Sequence, residues 1–201
     1  SARNTGLKKA NYQYLFFVDS DDEIENNVFE TVVFEMEKEH LDVIGFSGRV
    51  IYPNREEDLK HNIADSQYGK LLYGLDFLQE HTPLSIVPLY MYRLDFLTQN
   101  NITFWEGIFY EDMDFSVQIF LKNPRIKFIK KKCYIYYKRS NSITGSVNLK
   151  KYKDMCGICQ KYSSITNSKI SEQRISLQKL LISYLMVTEE LYHQLTGSEK
   201  K

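Results

Sequence analysis

The sequence predicts an α/β fold, and three observations carry that prediction. A continuous apolar run, Tyr14 to Val18 (YLFFV), has the length of a strand buried on both faces, as in parallel or mixed sheets. Segments with apolar residues at three- and four-residue spacing alternate with further short apolar runs. With 201 residues, 43% hydrophobic and 26% charged, the chain suits one domain with a real core, or one domain with an appendage.

Taken in order, Ala2 to Ala10 reads as a short helix, with Leu7 and Ala10 on one face. The strand Tyr14 to Val18 follows. Asn27 to Glu39 carries a helix-start signal, Asn27 as cap with Glu30 three residues on, and Val28, Val32 and Met36 mark its inner face. Leu41 to Phe46 and Val50 to Tyr52 are strand material, and the polar stretch Pro53 to Ser66 is a loop. Tyr73 to His81 forms a short helix ended by Pro83. Ile86 to Leu97 is apolar with Tyr90, Tyr92 and Arg93 interleaved. Asp112 to Lys122 is helical, closed by Asn123-Pro124. Lys127 to Lys132 and Tyr134 to Tyr137 read as two short strands. From Leu149 the pattern is helical, with a polar break near Ser163 to Ser171. Ile175, Leu177, Leu180, Leu181, Tyr184, Leu185, Val187 and Leu191 face inward from the last helix.

Composition narrows the function. Lys and Arg number 26, as do Asp and Glu, so no global basic field recruits nucleic acid. Three cysteines, Cys133, Cys156 and Cys159, are too few for a disulfide scaffold and suit a reducing compartment. The pair Cys156-x-x-Cys159 lacks the βα context of a redox site and the second ligand pair of a zinc site. It reads as two reduced thiols on a helix. The run Leu180 to Thr188 is far shorter than the ~20 residues of a membrane span.

Local chemistry concentrates in three places. Asp19-Ser20-Asp21-Asp22 follows the buried strand directly, where α/β sheets bind ligands. Its three carboxylates repel one another unless a cation is present, and their hard oxygens suit Mg²⁺ or Mn²⁺. The alternative is a solvated turn in which Asp22 or Asn26 caps a helix. Glu111-Asp112, in FYEDMDF, opens a helix, where acids complement the macrodipole or stand ready as a general base. Tyr136 to Ile143 (YYKRSNSI) joins aromatic strand residues to a basic loop, so Lys138 and Arg139 are candidates to hold a diphosphate, or a solvated turn.

Together, ARNTGL (Ala2 to Leu7), YLFFVDSDD (Tyr14 to Asp22), FYEDMDF (Phe109 to Phe115) and YYKRSNSI resemble the family 2 glycosyltransferases over residues 2 to 147. The likeness is to the second half of their nucleotide-sugar-binding catalytic domain. The resemblance implies a GT-A-like fold, a mixed and mainly parallel sheet flanked by helices. A partial catalytic domain (1–147) and a C-terminal helical region (148–201) are expected. It implies inverting transfer from a nucleoside-diphosphate sugar, a UDP-sugar foremost, to a saccharide or lipid-linked acceptor in bacterial surface polysaccharide synthesis. By position, Asp21 would bind Mn²⁺ or Mg²⁺ with Asp19 or Asp22. Asp19 would alternatively contact the ribose. Asp112 would be the base, with Glu111 beside it, and Arg3, Lys138 and Arg139 would lie near the donor. Tyr92, Trp105 and the loop Pro53 to Ser66 fall on the acceptor side. The family's nucleotide-binding half is missing, so the chain is expected to be a piece of a longer protein, inactive and a weak donor binder by itself. A cytoplasmic location follows, with a place at the inner membrane face, peripheral membrane contact and oligomerisation left open. The rivals are a metal-dependent nucleotidyltransferase and a non-catalytic interaction module using Tyr184, Leu185, Leu191 and Tyr192 of the last helix.

Overall fold

The computed structural model describes residues 1–138, 148–166, 171–197 and 199–200. In chain order the elements are α1 (Ala2–Lys9), β1 (Tyr14–Phe16), β2 (Glu23–Ile24), α2 (Phe29–Lys38), β3 (Val43–Tyr52), β4 (Arg55–Leu59), β5 (Leu71–Tyr73), α3 (Gly74–Glu80), β6 (Tyr90–Arg93), α4 (Leu94–Gln99), α5 (Glu111–Leu121), β7 (Arg125–Tyr137), α6 (Leu149–Thr166) and α7 (Ser171–Gln194).

The strands form one sheet in the order β1-β6-β3-β7-β2, with β4 beside β3 and β5 beside β7. It is mixed and flanked by helices, as expected. Its balance differs from the expectation: among the described residues β3–β7 is the parallel pairing, and the others are antiparallel. Parallel neighbours need a long crossover, and β3 and β7 are joined by one that contains three helices. Pro53-Asn54, in the stretch expected to be loop, instead turns β3 straight back into β4. β6 inserts between β1 and β3, antiparallel to both.

Two expected strands, Lys127 to Lys132 and Tyr134 to Tyr137, are one strand. The register against β3 jumps from Phe46↔Ile129 to Ser47↔Lys132 and then Gly48↔Tyr134, so a bulge stands where the sequence suggested a break. Gly48 permits this close approach: a Cβ there would come within 2.7 Å of the Tyr134 carbonyl oxygen. The bulge thereby sets where Tyr134 emerges.

Each face of the sheet carries a core. On one, Val28, Val32 and Met36 of the α2 region pack on Ile44, Phe46 and Met91. Asn27 does not cap α2. It takes a left-handed backbone (φ 56°), which Asn tolerates, and Val28 stands at the cap without a side-chain bond. On the other face Phe17, Tyr90, Tyr92, Phe115 and Phe128 join Met155, Ile158 and Tyr162 of α6 and Leu177, Leu180, Tyr184 and Leu191 of α7. Tyr92 is thus a core residue, not an acceptor contact. Ile175 and Leu185, expected inward, are 46% and 54% exposed. α7 lies against α6 and α3, so a narrow stripe suffices to seat it. Tyr184 and Leu191 of the supposed interaction face belong to that buried stripe. Cys156 and Cys159 sit on α6 as free thiols, with Cys159 buried.

Candidate active site

The site is built from three local structures. α1 begins with Ser1 capping its first turn and ends with Lys8 and Lys9, which suit the macrodipole. It presents Arg3. β1 delivers the chain into a turn in which the Asp22 N–H reaches the Asp19 carbonyl at 3.2 Å. The residue before α5, Tyr110, takes a left-handed backbone (φ 63°), and the helix opens with Glu111, Asp112 and Asp114 in its first turn.

Arg3 joins the two acidic groups. Its Nη2 donates to Asp19 Oδ1 and its Nη1 to Glu111 Oε1, each at 2.9 Å. The guanidinium lies 5.5 Å from the centre of the Phe104 ring. Burial works against its charge, but Asp19, Glu111 and Asp112 outweigh that and raise its pKa. Asp112 is mostly buried, and its carboxyl is pushed up to about 6. Desolvation is the main cause and Glu111 the second, opposed by the Met113 N–H and by Arg3. Met113 N donates to Asp112 Oδ1 at 2.9 Å. The acidic turn and the Glu111-Asp112 pair are therefore held side by side, with Arg3 between them.

The rest of the turn is anchored from β7. Tyr134 Oη donates to Asp22 Oδ2 at 2.6 Å and accepts from Asp19 N–H at 3.2 Å, and Tyr137 N–H donates to Asp22 Oδ1 at 3.0 Å. Burial raises the Asp22 pKa, these two donors pull it back down, and Asp21 and Asp19 add to the rise. Both Asp22 oxygens thus accept a hydrogen bond from β7, which fixes the carboxylate within the turn. Asp21 is exposed at the tip of the turn. Among the described residues no three His, Cys, Asp or Glu side chains converge as a metal cage. The donor set would suit a Mg²⁺ or Mn²⁺ that takes one or two carboxylates from the protein and other oxygens from phosphate and water, the usual habit of Mg²⁺. Lys138 continues β7, its N–H bonded to the Ile51 carbonyl at 2.9 Å. Arg139 lies outside the described residues.

Sequence reasoning missed Tyr134 as a positioning group. The signal was present only as an aromatic at alternate spacing near the end of a strand, and its partner lies 112 residues away.

Comparison with known proteins decides the family. The model of glycosyl transferase family 2 matches residues 1–104. The chain belongs to this family. Among curated family relatives, the uncharacterized glycosyltransferase EpsJ of Bacillus subtilis is 30% identical over 151 residues, which cover 72% of this chain and 43% of EpsJ. Glycosyltransferase GlyG of Streptococcus pneumoniae is 26% identical over 220 residues, covering 99% of this chain and 69% of GlyG. The crystal structure of Staphylococcus aureus TarS 1–349 in complex with UDP-GlcNAc superposes with a TM-score of 0.72 at 22% identity, over 98% of this chain and 56% of that one. At that identity the likeness establishes the fold, which is GT-A-like. The chain spans about half the length of EpsJ and of TarS 1–349. Membership in glycosyl transferase family 2 leaves the nucleotidyltransferase rival without support. Among the described residues no helix is long and apolar enough to cross a membrane.

Proposed function

We propose that the protein transfers a sugar, with inversion, from a UDP-sugar to a saccharide or lipid-linked acceptor in the synthesis of a cell-surface polysaccharide. The observation that carries this reading is the bridge from Asp19 through Arg3 to Glu111, which brings the acidic turn next to a mostly buried carboxylate, Asp112. The relatives support the substrate class: one is named a poly(ribitol-phosphate) beta-N-acetylglucosaminyltransferase, and its structures hold UDP-GlcNAc and UDP.

In the proposed mechanism Asp112 accepts the proton of the attacking hydroxyl as the new glycosidic bond forms. With a pKa of about 6 it is mostly ionised at pH 7 yet basic enough to take a proton, and such bases contribute about 10²–10⁴-fold. Glu111, held by Arg3, keeps that basicity up and lines the acceptor side. Arg3 offers positive charge near the donor, and Lys138 adds another where β7 passes the acidic turn. Asp21, with Asp19, would hold Mg²⁺ or Mn²⁺, which when bound neutralises charge growing on the leaving diphosphate. Asp22 keeps the turn in place.

The 201 residues alone are proposed to bind donor weakly, because they match less than half of EpsJ. Micromolar binding of a UDP-sugar to this chain by calorimetry would overturn that. In the active protein, Asp112→Asn should slow transfer by about 10²–10⁴-fold and leave donor affinity nearly intact. Substantial turnover by that variant would assign the base elsewhere.

A further inference from the structure

An open groove of about 310 Å³ is lined by Thr103, Trp105, Asp114, Gln118 and Lys161, none of which takes part in the Arg3 bridge. That volume is at the lower end for ligand pockets (~300–1,000 Å³). Asp114 stands two residues beyond Asp112, about 200° round α5, so groove and base occupy different faces of one helix, about 10–12 Å across. The segment between α4 and α5 divides them. Phe104 packs inward, stacked on Phe115 and beneath Arg3, while its neighbour Trp105 is 38% exposed on the groove side.

The groove is rigid and electrically balanced. Asp114 is fully buried and accepts from Lys161 Nζ at 2.5 Å, Tyr162 Oη at 2.7 Å and Gln118 Nε2 at 2.7 Å. Gln118 Nε2 also donates to the Thr103 carbonyl at 2.8 Å, tying α5 to the wall. The Lys161 ammonium lies 5.0 Å from the Trp105 ring centre. Its charge is matched by Asp114, so the groove has no surplus to attract a phosphate. An ammonium has three N–H donors, of which one serves Asp114. Two are left over, and Thr103, which carries a hydroxyl, lines the same groove as the Trp105 ring.

A flat apolar surface rimmed by fixed polar groups matches a neutral pyranose, which shows a C–H face and a ring of hydroxyls. We infer that this groove is a second saccharide site, which anchors a distal part of a neutral acceptor chain a few sugar units from the hydroxyl presented to Asp112. The inference rests on the glycosyltransferase reading for its role, and on the groove alone for its binding.

Trp105 is the only tryptophan of the chain, so its emission reports on this site alone. The test titrates the 201-residue protein with a panel of neutral oligosaccharides, a glycerol-phosphate oligomer and UDP, following emission and heat. Expected is a saturable emission change with a neutral oligosaccharide, none with UDP, and roughly tenfold weaker calorimetric binding in Trp105→Leu and in Thr103→Val. In the active protein Trp105→Leu should raise KM for long acceptors several-fold more than KM for a monosaccharide acceptor. Circular dichroism matching the parent shows that each variant folds. No saturable response to any neutral oligosaccharide, or a response only to the phosphate oligomer, overturns the inference. Transfer activity without such a response sinks the groove and keeps the enzyme. Saccharide binding in a protein without transfer does the reverse.

Discussion

Arg3 and Glu111 are 108 residues apart in sequence, yet Nη1 of one lies 2.9 Å from Oε1 of the other. With its second nitrogen on Asp19, Arg3 neutralises charge on both acidic groups. Arg3 also lowers the Asp112 pKa. Replacing it by Ala should therefore move the acid limb of the kcat/KM profile above about 6. Arg3→Lys should move it less, because a lysine cannot make the forked pair of bonds. The profile is read in the active protein, and an unmoved acid limb in Arg3→Ala would show that the bridge does not tune the base.

Asp112→Asn should cost about 10²–10⁴ in transfer rate and at the same time stabilise the fold at neutral pH. The sign follows from linkage. A carboxyl whose pKa is raised from 3.8 to about 6 contributes its stability below pH 3.8 and loses it as pH rises through 6. The full shift corresponds to about 3 kcal/mol at pH 7, an upper bound since the group keeps some solvent contact. Urea unfolding at pH 7 should show the variant more stable than the parent. Lower stability would mean that the Asp112 carboxylate is well compensated in place.

Tyr134→Phe removes the 2.6 Å bond to Asp22 and keeps the ring, which packs edge-on to Phe16. A hydrogen bond to a charged group is worth about 1.5–3 kcal/mol, so stability should fall within that range. Asp22 then retains only the Tyr137 N–H on its other oxygen, and the acidic turn loosens. The expected second effect is a higher Mg²⁺ or Mn²⁺ concentration for half-activation, with kcat at saturating metal nearly unchanged. Loss of stability with unaltered metal dependence would make Tyr134 structural only.

What the sequence disclosed was local. Asp19 to Asp22 and Glu111-Asp112 are short strings, the second at a helix start and the first shortly after β1, which is a half-buried edge strand ending at Phe16 and not the doubly buried strand expected to Val18. The helices α1, α3 and α5 declared themselves by spacing and by their flanking breakers. What stayed hidden depends on distant partners. Tyr134 reaches the acidic turn because β7 carries a bulge that only its pairing with β3 reveals. Asn27 has the chemistry of a cap, but the route into α2 puts it in a left-handed conformation instead. Ile175 and Leu185 fit an amphipathic pattern, but the packing of α7 needs a narrower stripe than that pattern supplies. The antiparallel share of the sheet depends on where β6 inserts, and no window of sequence encodes that.

His61 sets a pH dependence opposite to that of Asp112. It is buried, with Nε2 3.1 Å from the Phe46 carbonyl and the Phe128 and Tyr90 rings against it. Burial pushes its pKa down to about 4. The unfolded chain, with an imidazole near 6.5, takes up a proton that the native state refuses, so stability falls as pH drops from 6.5 to 4, by about 3 kcal/mol in full. Over much of the same window Asp112 gains a proton in the native state, and Asp22, also raised, acts in the same sense. The terms offset, so the parent should show a shallow stability profile between pH 4 and 6. Asp112→Asn removes one side, and its stability should fall steeply on acidification. A double variant with His61→Phe should be shallow again, since Phe has no proton to gain. Urea unfolding across that range reads all three proteins, and parallel curves for parent and Asp112→Asn would show that Asp112 keeps an ordinary carboxylate pKa in the fold.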